Sequence, residues 1–383
     1  MDERIYREYV AILKEELQPA MGCTEPIAVA YCAALARKML GALPETVEVL
    51  ASANIIKNVK SVIVPNTNGQ RGIAAAAAAG IISDNADAQL QVFASLTPEQ
   101  VDAVGAYLRQ AAFTVRRADK DYQESGSQHA TDRSLLTVEQ IITFANEVDV
   151  ADVQETLQRQ IDYNWAIAEE GLRGYYGANI GRILLQSYGM SIHNRAKAYA
   201  AAGSDARMNG CDLPVVINSG SGNQGLTASL PVIVYAKELG VTQQMLYRAL
   251  VVSNLVTIHL KTGIGSLSAY CGATAAGCGA AAGVTYLYGG QYREIAHTIV
   301  NAIAIDSGMI CDGAKASCAA KIASAVEAGL LGMQMQMHES QFYGGDGIVV
   351  KGVENTIRNI GTLASEGMRE TDRTIIRMMI QEH

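Results

Sequence analysis

Two segments decide how the C-terminal part of this chain is interpreted, Ser266-Leu-Ser-Ala-Tyr-Cys271-Gly272 and Asp306-Ser-Gly-Met-Ile-Cys311-Asp-Gly-Ala-Lys-Ala-Ser-Cys318. They hold three of the seven cysteines, beside glycines and other small residues. Thiolates that meet on a flexible, small-residue backbone are the ligands that an iron–sulfur cluster requires. We therefore predict that Cys271, Cys311 and Cys318 hold a [4Fe–4S] cluster, with one iron left free to bind substrate.

The spacing of the last two cysteines requires a break in regular structure. Seven residues on a straight helix would separate the Cα atoms of Cys311 and Cys318 by about 10 Å, which is long for one cluster. Gly313 permits a bend, so residues 311–317 are predicted to form a loop, with Ser317 as the N-cap of the next helix. Spacing alone leaves open that these are buried cysteines in a core. The absence of a CxxC pair disfavours zinc, and the odd cysteine count disfavours disulfides.

Composition narrows the class of protein. The chain has 383 residues, 49% of them hydrophobic, and a net charge of −8, which argues against a nucleic-acid partner. The segment 262–292 carries no charge, but it is rich in Gly, Ala, Ser and Thr, so we expect buried helices and no membrane insertion. The N-terminus reads as a charged helix and not as a secretory signal, so a cytoplasmic location is expected.

The first 44 residues are predicted to form two helices, at 3–17 and 27–40. Between them, Thr24 is a candidate N-cap and Pro26 fits a first helical turn. Cys23 would then precede a helix N-terminus, where the helix dipole lowers the pKa of a thiol. Such a thiol can serve as a nucleophile or as a base, but a buried cysteine beside a cap fits the pattern equally well.

Residues 45–117 read as a small α/β unit. Its predicted elements are strands at 46–50, 61–65, 90–95 and 113–117, and helices at 73–82 and 98–111. The turn 65–72 contains Asn66 and many hydrogen-bond donors, so it is a weak candidate anion site, although an ordinary turn is the simpler interpretation.

The rest of the chain is predicted to be helical. A polar linker at 118–136 leads into helices at 137–147, 150–171, 176–202, 226–240, 243–257, 268–287, 290–305, 317–335 and 350–381. The loop at 203–225 contains Arg207 and a run dense in glycine and side-chain donors before a helix, which is a candidate carboxylate site. The predicted fold class is therefore α+β, with domains at 1–44 (packed on the C-terminal domain), 45–117 and 137–383.

Five motifs carry a resemblance that extends over nearly the whole chain: Gly22-Cys23-Thr24-Glu25-Pro26, Asn54-Ile-Ile-Lys57-Asn58, Ser204-Asp-Ala-Arg207-Met208, Asn218-Ser-Gly-Ser-Gly-Asn-Gln-Gly225 and Gly308-Met-Ile-Cys311-Asp-Gly313. The chain resembles the L-cysteine desulfidase family, which is related to the α-domain of the iron–sulfur L-serine dehydratases. The resemblance implies cluster ligation by the same three cysteines, and Cys23 as the catalytic base with Glu25 in the same motif. It implies substrate binding by Asn218, Ser219, Gly220, Ser221, Gly222, Asn223, Gln224 and Arg207, with Asn54, Lys57 and Asn66 as lesser candidates.

The resemblance implies a reaction, the β-elimination of L-cysteine to sulfide, ammonia and pyruvate without pyridoxal phosphate. L-Serine dehydration is the first alternative, and a cluster-free, non-enzymatic relative that binds a small amino acid is the second. We also expect a homodimer. One departure is visible: relatives carry a longer central β-rich segment, often with a Ser-His-Thr-Asn motif. In this chain the region is shorter, about residues 114–136, and Gln128-His129-Ala130-Thr131 is only loosely similar to that motif.

Overall fold

The computed structural model describes residues 1–93, 96–118, 130–265 and 268–380. The described part is mostly helical with short strands, which confirms the α+β class. Its strands are β1 Pro19–Met21, β2 Thr46–Ala51, β3 Ala112–Arg117 and β4 Pro214–Val216. The helices of the N-terminal third are α1 Glu3–Glu16, α2 Thr24–Leu40, α3 Ala53–Val59, α4 Gly72–Ser83 and α5 Pro98–Gln110. The later helices are α6 Val138–Glu147, α7 Val150–Arg173, α8 Ile180–Tyr188, α9 Ile192–Met208, α10 Gly222–Leu239, α11 Gln243–Ile264, α12 Gly272–Leu287, α13 Tyr292–Ile305, α14 Cys318–Met337, α15 Val353–Thr362 and α16 Arg369–Ile380.

Local sequence signals set several helix ends. The Asp2 carboxylate accepts the backbone N–H of Arg4 at 2.8 Å and begins α1. Thr97 and Gln100 form a reciprocal capping box at the start of α5. Helix α2 ends at Leu40. The next residue, Gly41, has a φ of 73°, a left-handed backbone conformation that glycine adopts at little cost.

Two small sheets join distant parts of the chain. Strands β2 and β3 pair in parallel, and α3, α4 and α5 form the connection between them. Strand β1 pairs antiparallel with β4, with Ala20 opposite Val215. Because β1 directly precedes α2 and β4 lies between α9 and α10, this pairing brings the start of α2 beside the end of α9.

The uncharged helix α12 lies at the centre of the later helices. It packs against α10, α11, α13 and α14, and its residues from Ala273 to Leu287 are buried. The contact is close because a Cβ on Gly277 would lie 2.4 Å from the Ala325 carbonyl oxygen of α14. In the described part of the chain, every helix is too short or too polar to cross a membrane.

Two predicted strands of the α/β unit are wrong. In place of a strand at 61–65, Ile63 forms one isolated bridge with Arg71, since the chain turns back at once after Val64. Residues Ala86–Gln91 form a 3₁₀ stretch in place of the start of the strand at 90–95, and residues 94–95 lie outside the described part.

Three boundaries in the helical part are also corrected. The helix predicted at 176–202 is two helices, α8 and α9, which are separated at Gly189 with φ 81°. The loop predicted from residue 203 begins only at Asn209, because buried small residues let α9 continue to Met208. The helix predicted at 350–381 is interrupted by a π-helical turn at Leu363–Gly367.

Candidate functional site

Backbone pairing brings Cys271 and Cys311 together. The segments that precede α12 and follow α13 form an antiparallel bridge between Tyr270 and Ile310. The backbone N–H groups of the two cysteines donate across this bridge, at 2.8 and 2.6 Å. Since side chains alternate along extended chain, both thiols point to the same face. They lie within hydrogen-bonding distance of each other.

Cys318 reaches the same place from the start of α14. Ser317 precedes it as predicted, although the Ser317 side chain makes no capping hydrogen bond. The intervening loop bends at Gly313, whose φ is 94° and where a Cβ would lie 2.3 Å from the Lys57 carbonyl oxygen. The Cys318 thiol lies 3.8 Å from the Gly313 carbonyl oxygen. Cys271, Cys311 and Cys318, here named the cysteine group, therefore line one cavity.

The cysteine group has one thiol that ionises readily. A hydrogen bond from Cys271, the backbone N–H of Gly313 and the nearby Lys57 and Lys321 lower the pKa of Cys311 to about 6. The same hydrogen bond and burial raise the pKa of Cys271 above its ordinary value. Burial also raises the pKa of Cys318. Thiolate is the form that binds iron, so the surroundings favour Cys311 as the first ligand of the three.

Cys23 lines the same cavity from the N-cap position of α2, which Thr24 was wrongly predicted to occupy. The Thr24 hydroxyl instead donates to the Gly220 carbonyl at 2.9 Å. Cys23 is 2% exposed and packs on Met208, with 4.0 Å between the sulfur atoms. Burial raises the pKa of Cys23 to about 12, although Arg207 opposes this. The predicted lowering is therefore wrong, because desolvation outweighs favourable charges at this depth.

Arg207 links the segment before α2 to the first turn of α10 at the cavity. Its Nε donates to the Gly22 carbonyl before α2, and its Nη1 donates to Asn223 Oδ1 in the first turn of α10, both at 3.1 Å. A Cβ on Gly222 would lie 2.2 Å from the Arg207 Nε, so a larger residue there would displace the guanidinium. The arginine thus makes structural hydrogen bonds and lines the cavity at once.

Helix α3 contributes two more polar side chains. Asn58 Nδ2 donates to Glu25 Oε1 at 3.1 Å. The Lys57 Nζ lies 2.5 Å from Asp372 Oδ1 on α16, and the Lys57 side chain is 1% exposed. All but Asp372 line the cavity. We name the following set the polar group: Cys23, Glu25, Lys57, Asn58, Arg207 and Asn223.

Only part of the glycine-rich loop reaches the cavity. A tight turn with positive φ at Ser219 (49°) and Gly220 (74°) closes the loop before α10. Ser221, Asn223 and Gln224 line the cavity, whereas Ser219, Gly220 and Gly222 do not. Asn218 is fully buried and donates to Asn254 in the helical core, which makes it a packing residue.

Two predicted candidates lie away from the cavity, and others were missed. Asn66 donates to the Phe93 carbonyl at 2.9 Å within its turn, and neither Asn66 nor Asn54 lines the cavity. Asn58 was missed although it follows Lys57 in the same motif. Lys261 was missed too, and the available signal was a single lysine within the apolar stretch of α11.

The cavity carries charges of both signs. Its volume is about 110 Å³ and it is partly open to solvent, so its inner end suits a ligand of a few heavy atoms. Glu25 is the one acidic side chain among the described residues that line it, and the cationic lining residues are Lys57, Arg207 and Lys261.

The cavity offers three thiols as candidate metal ligands. Among the described residues, no three His, Cys, Asp or Glu side chains converge closely enough for one metal ion. A four-iron cluster takes cysteine thiolates as its ligands. Three thiols on one cavity, held by glycine-rich backbone, are the donors that such a cluster takes.

Comparison with known proteins assigns the family. A sequence model of the serine dehydratase alpha chain matches residues 82–377. The chain belongs to the serine dehydratase α-chain family. The predicted relation to the α-subunit of the iron–sulfur serine dehydratases is thereby confirmed. The matched range includes the whole cysteine group, whereas Cys23, Glu25, Lys57 and Asn58 precede it.

Relatives from three bacteria are similar over their full length. UPF0597 proteins of Desulfitobacterium hafniense, Lachnoclostridium phytofermentans and Treponema denticola are 54%, 46% and 43% identical. The matches cover 98% or more of this chain and of each relative, and the names state no activity. The first alignment spans 421 residues, 38 more than this chain has, so the relative carries segments with no counterpart here. The expected shortening therefore agrees with the alignment length.

Proposed function

We propose that this chain is a [4Fe–4S]-dependent lyase that converts L-cysteine to sulfide, ammonia and pyruvate. One observation carries the proposal: three thiols from two separate segments line the same cavity as Cys23 and Arg207. Membership in the serine dehydratase α-chain family supports lyase chemistry on a small amino acid.

Cys271, Cys311 and Cys318 would hold the cluster, which when bound supplies a Lewis-acidic iron for the leaving sulfur. The Cys311 thiolate and the cations Lys57 and Lys321 near it support this assignment. The helix starts at Gly272 and Cys318 add the positive ends of two helix dipoles beside the thiolates.

The substrate carboxylate would bind at the start of α10. Ser221 is the N-cap of this helix, and its side chain makes no capping bond, so its hydroxyl can donate to a ligand. Asn223 lies in the first turn, and the positive end of the helix dipole favours an anion there. Arg207 behind Asn223 adds a buried positive charge.

Cys23 would take the proton from the substrate Cα. Its thiol is buried next to Arg207, whose positive charge favours the thiolate that this step requires but does not outweigh the effect of burial in the free protein. As the Cα–H bond breaks, its electron pair forms the Cα–Cβ double bond and the Cβ–S bond breaks, so hydrosulfide leaves with its bonding pair. The aminoacrylate that remains takes up a proton to form an imine, and water then releases pyruvate and ammonia.

An anaerobic assay tests this function. Protein reconstituted with iron and sulfide is incubated with L-cysteine, and sulfide, ammonia and pyruvate are quantified. We expect the three products in equal amounts, and a Cys32→Ala variant, which changes an exposed cysteine on α2, should behave as the wild type. Iron-loaded protein that releases none of them would exclude the lyase function, and iron-free protein that still binds cysteine would favour a non-enzymatic role.

L-Serine dehydration is the second candidate, since the matched family is described by that reaction. The cavity would serve both substrates, because they differ only in the leaving atom. Comparison of kcat/KM for L-cysteine and L-serine on the same preparation decides between them. A higher value for L-serine would reassign the substrate and leave the roles of the residues unchanged.

A further inference from the structure

Two buried carboxamide oxygens face the cavity without a partner. Asn58 is 6% exposed and Gln224 is 5% exposed, and both line the cavity. Within the described part of the chain, neither Asn58 Oδ1 nor Gln224 Oε1 accepts a hydrogen bond. Buried acceptors are costly to leave unpaired, so such atoms at a cavity point to a ligand that donates hydrogen bonds.

The orientation of the Asn58 amide is fixed by its neighbour. Its Nδ2 donates to Glu25 Oε1 at 3.1 Å, and a flipped amide would place two acceptor oxygens against each other. Asn58 Oδ1 therefore stays available beside the Glu25 carboxylate. Gln224 lies against the start of α12, where a Cβ on Gly272 would come within 2.6 Å of its Oε1. Its carboxamide thus borders Cys271.

The ammonium groups of the protein in this cavity already have partners. Lys57 Nζ pairs with Asp372, and Lys261 Nζ donates to the Gly265 carbonyl. The free acceptors and the Glu25 carboxylate are therefore complementary to a cation that comes from a ligand. An ammonium carries three N–H donors, which matches three acceptor groups.

We propose that Glu25, Asn58 and Gln224 bind the α-ammonium group of the amino-acid substrate. This inference rests on the proposed function and names the residues that restrict the site to α-amino acids. The carboxylate of the same substrate would lie toward Ser221 and Asn223. A carboxylic acid that lacks the amino group would leave the three acceptors unpaired and bind more weakly.

Binding of two ligands that differ only in this group provides the test. On the iron-loaded protein under anaerobic conditions, the KM of L-cysteine is measured by sulfide release, and 3-mercaptopropionate is tested as a competitive inhibitor of that reaction to obtain its Ki. We expect the wild type to prefer L-cysteine roughly tenfold or more, since hydrogen bonds to a charged group are lost with the analogue. Asn58→Ala and Gln224→Met should each reduce this preference several-fold. Asn146→Ala, which removes a carboxamide on α6 that does not line the cavity, should keep this preference.

The outcomes separate this inference from the proposed function. Sulfide release together with an unchanged preference in the variants would overturn the inference and leave the function standing. Equal affinity of the wild type for both ligands would overturn it without any variant, so a variant that fails to fold does not block the test. A wild type that binds neither ligand and releases no sulfide would overturn both.

Discussion

The cysteine group and the polar group share one cavity but are held in different ways. The cysteine group is positioned by backbone: the bridge between Tyr270 and Ile310, the start of α14 and the bend at Gly313. The polar group is positioned by side-chain contacts between helices that are distant in sequence, such as Arg207 with Asn223 and Lys57 with Asp372.

This difference separates two kinds of substitution. A serine in place of a ligating cysteine leaves the backbone that positions it in place, so it should remove metal with little change in fold. A substitution in the polar group breaks contacts between helices, so it should change turnover and stability while iron stays bound.

The largest effect is expected from the cysteine group itself. Cys318→Ser should lose bound iron and reduce sulfide release to background, because a hydroxyl is a poor ligand for iron–sulfur clusters. Iron content and turnover are measured on anaerobic preparations. Cys278→Ala is the matched control, because Cys278 is buried in α12 outside the cavity. The Cys278→Ala protein should therefore keep its iron. Equal iron in both variants would place the cluster elsewhere.

Substitution of Cys23 should reduce turnover without loss of bound iron. Cys23→Ala is expected to retain iron while kcat falls by roughly 10² to 10⁴, the usual contribution of a general base. Iron content, the visible spectrum and the rate of sulfide release are measured on the same sample. Loss of iron would instead make Cys23 a ligand and move it into the cysteine group.

The ion pair between α3 and α16 should contribute to stability. Asp372→Asn leaves the buried Lys57 ammonium without its countercharge, and we expect a loss of about 2 kcal/mol in the free energy of unfolding with iron retained. Urea unfolding measures the change. Glu370→Gln, on the exposed first turn of α16, is the control with little expected effect. Equal stability of the two variants would contradict a role of the pair in holding the polar group.

Asp205, two residues before Arg207, gives an expected effect of similar size that depends on pH. Burial raises the pKa of its carboxyl from the ordinary 3.8 to about 6. The folded state therefore binds the proton more tightly, so its contribution to stability is full below about pH 4 and is lost as pH rises through 6. Asp205→Asn should gain stability relative to wild type by roughly 2 kcal/mol between pH 4 and 7. A difference that does not vary with pH would contradict this.

Features set by local sequence were predicted well. Capping residues and helical periodicity gave most helices, and the predicted loop from Cys311 to Ser317 before a helix at Cys318 agrees with the structure. The continuation of α9 to Met208 was missed, because Gly203 packs against Leu226 of α10 and does not end the helix. Helix α9 ends at Met208, close to Gly210, whose φ is 89°.

Features set by tertiary contacts could not be predicted. The raised pKa of Cys23 depends on burial against Val62 and Met208, which are distant in sequence. The pairing of Lys57 with Asp372 joins residues 315 positions apart. The domain division, the homodimer and the roles of the site residues stay predictions.

The most direct test of the cysteine group is a count of iron and acid-labile sulfide in the wild-type protein purified without oxygen. We expect about four of each per chain and a broad visible absorption band that disappears with Cys318→Ser. Protein that folds and binds L-cysteine but holds less than one iron per chain after anaerobic reconstitution would contradict it.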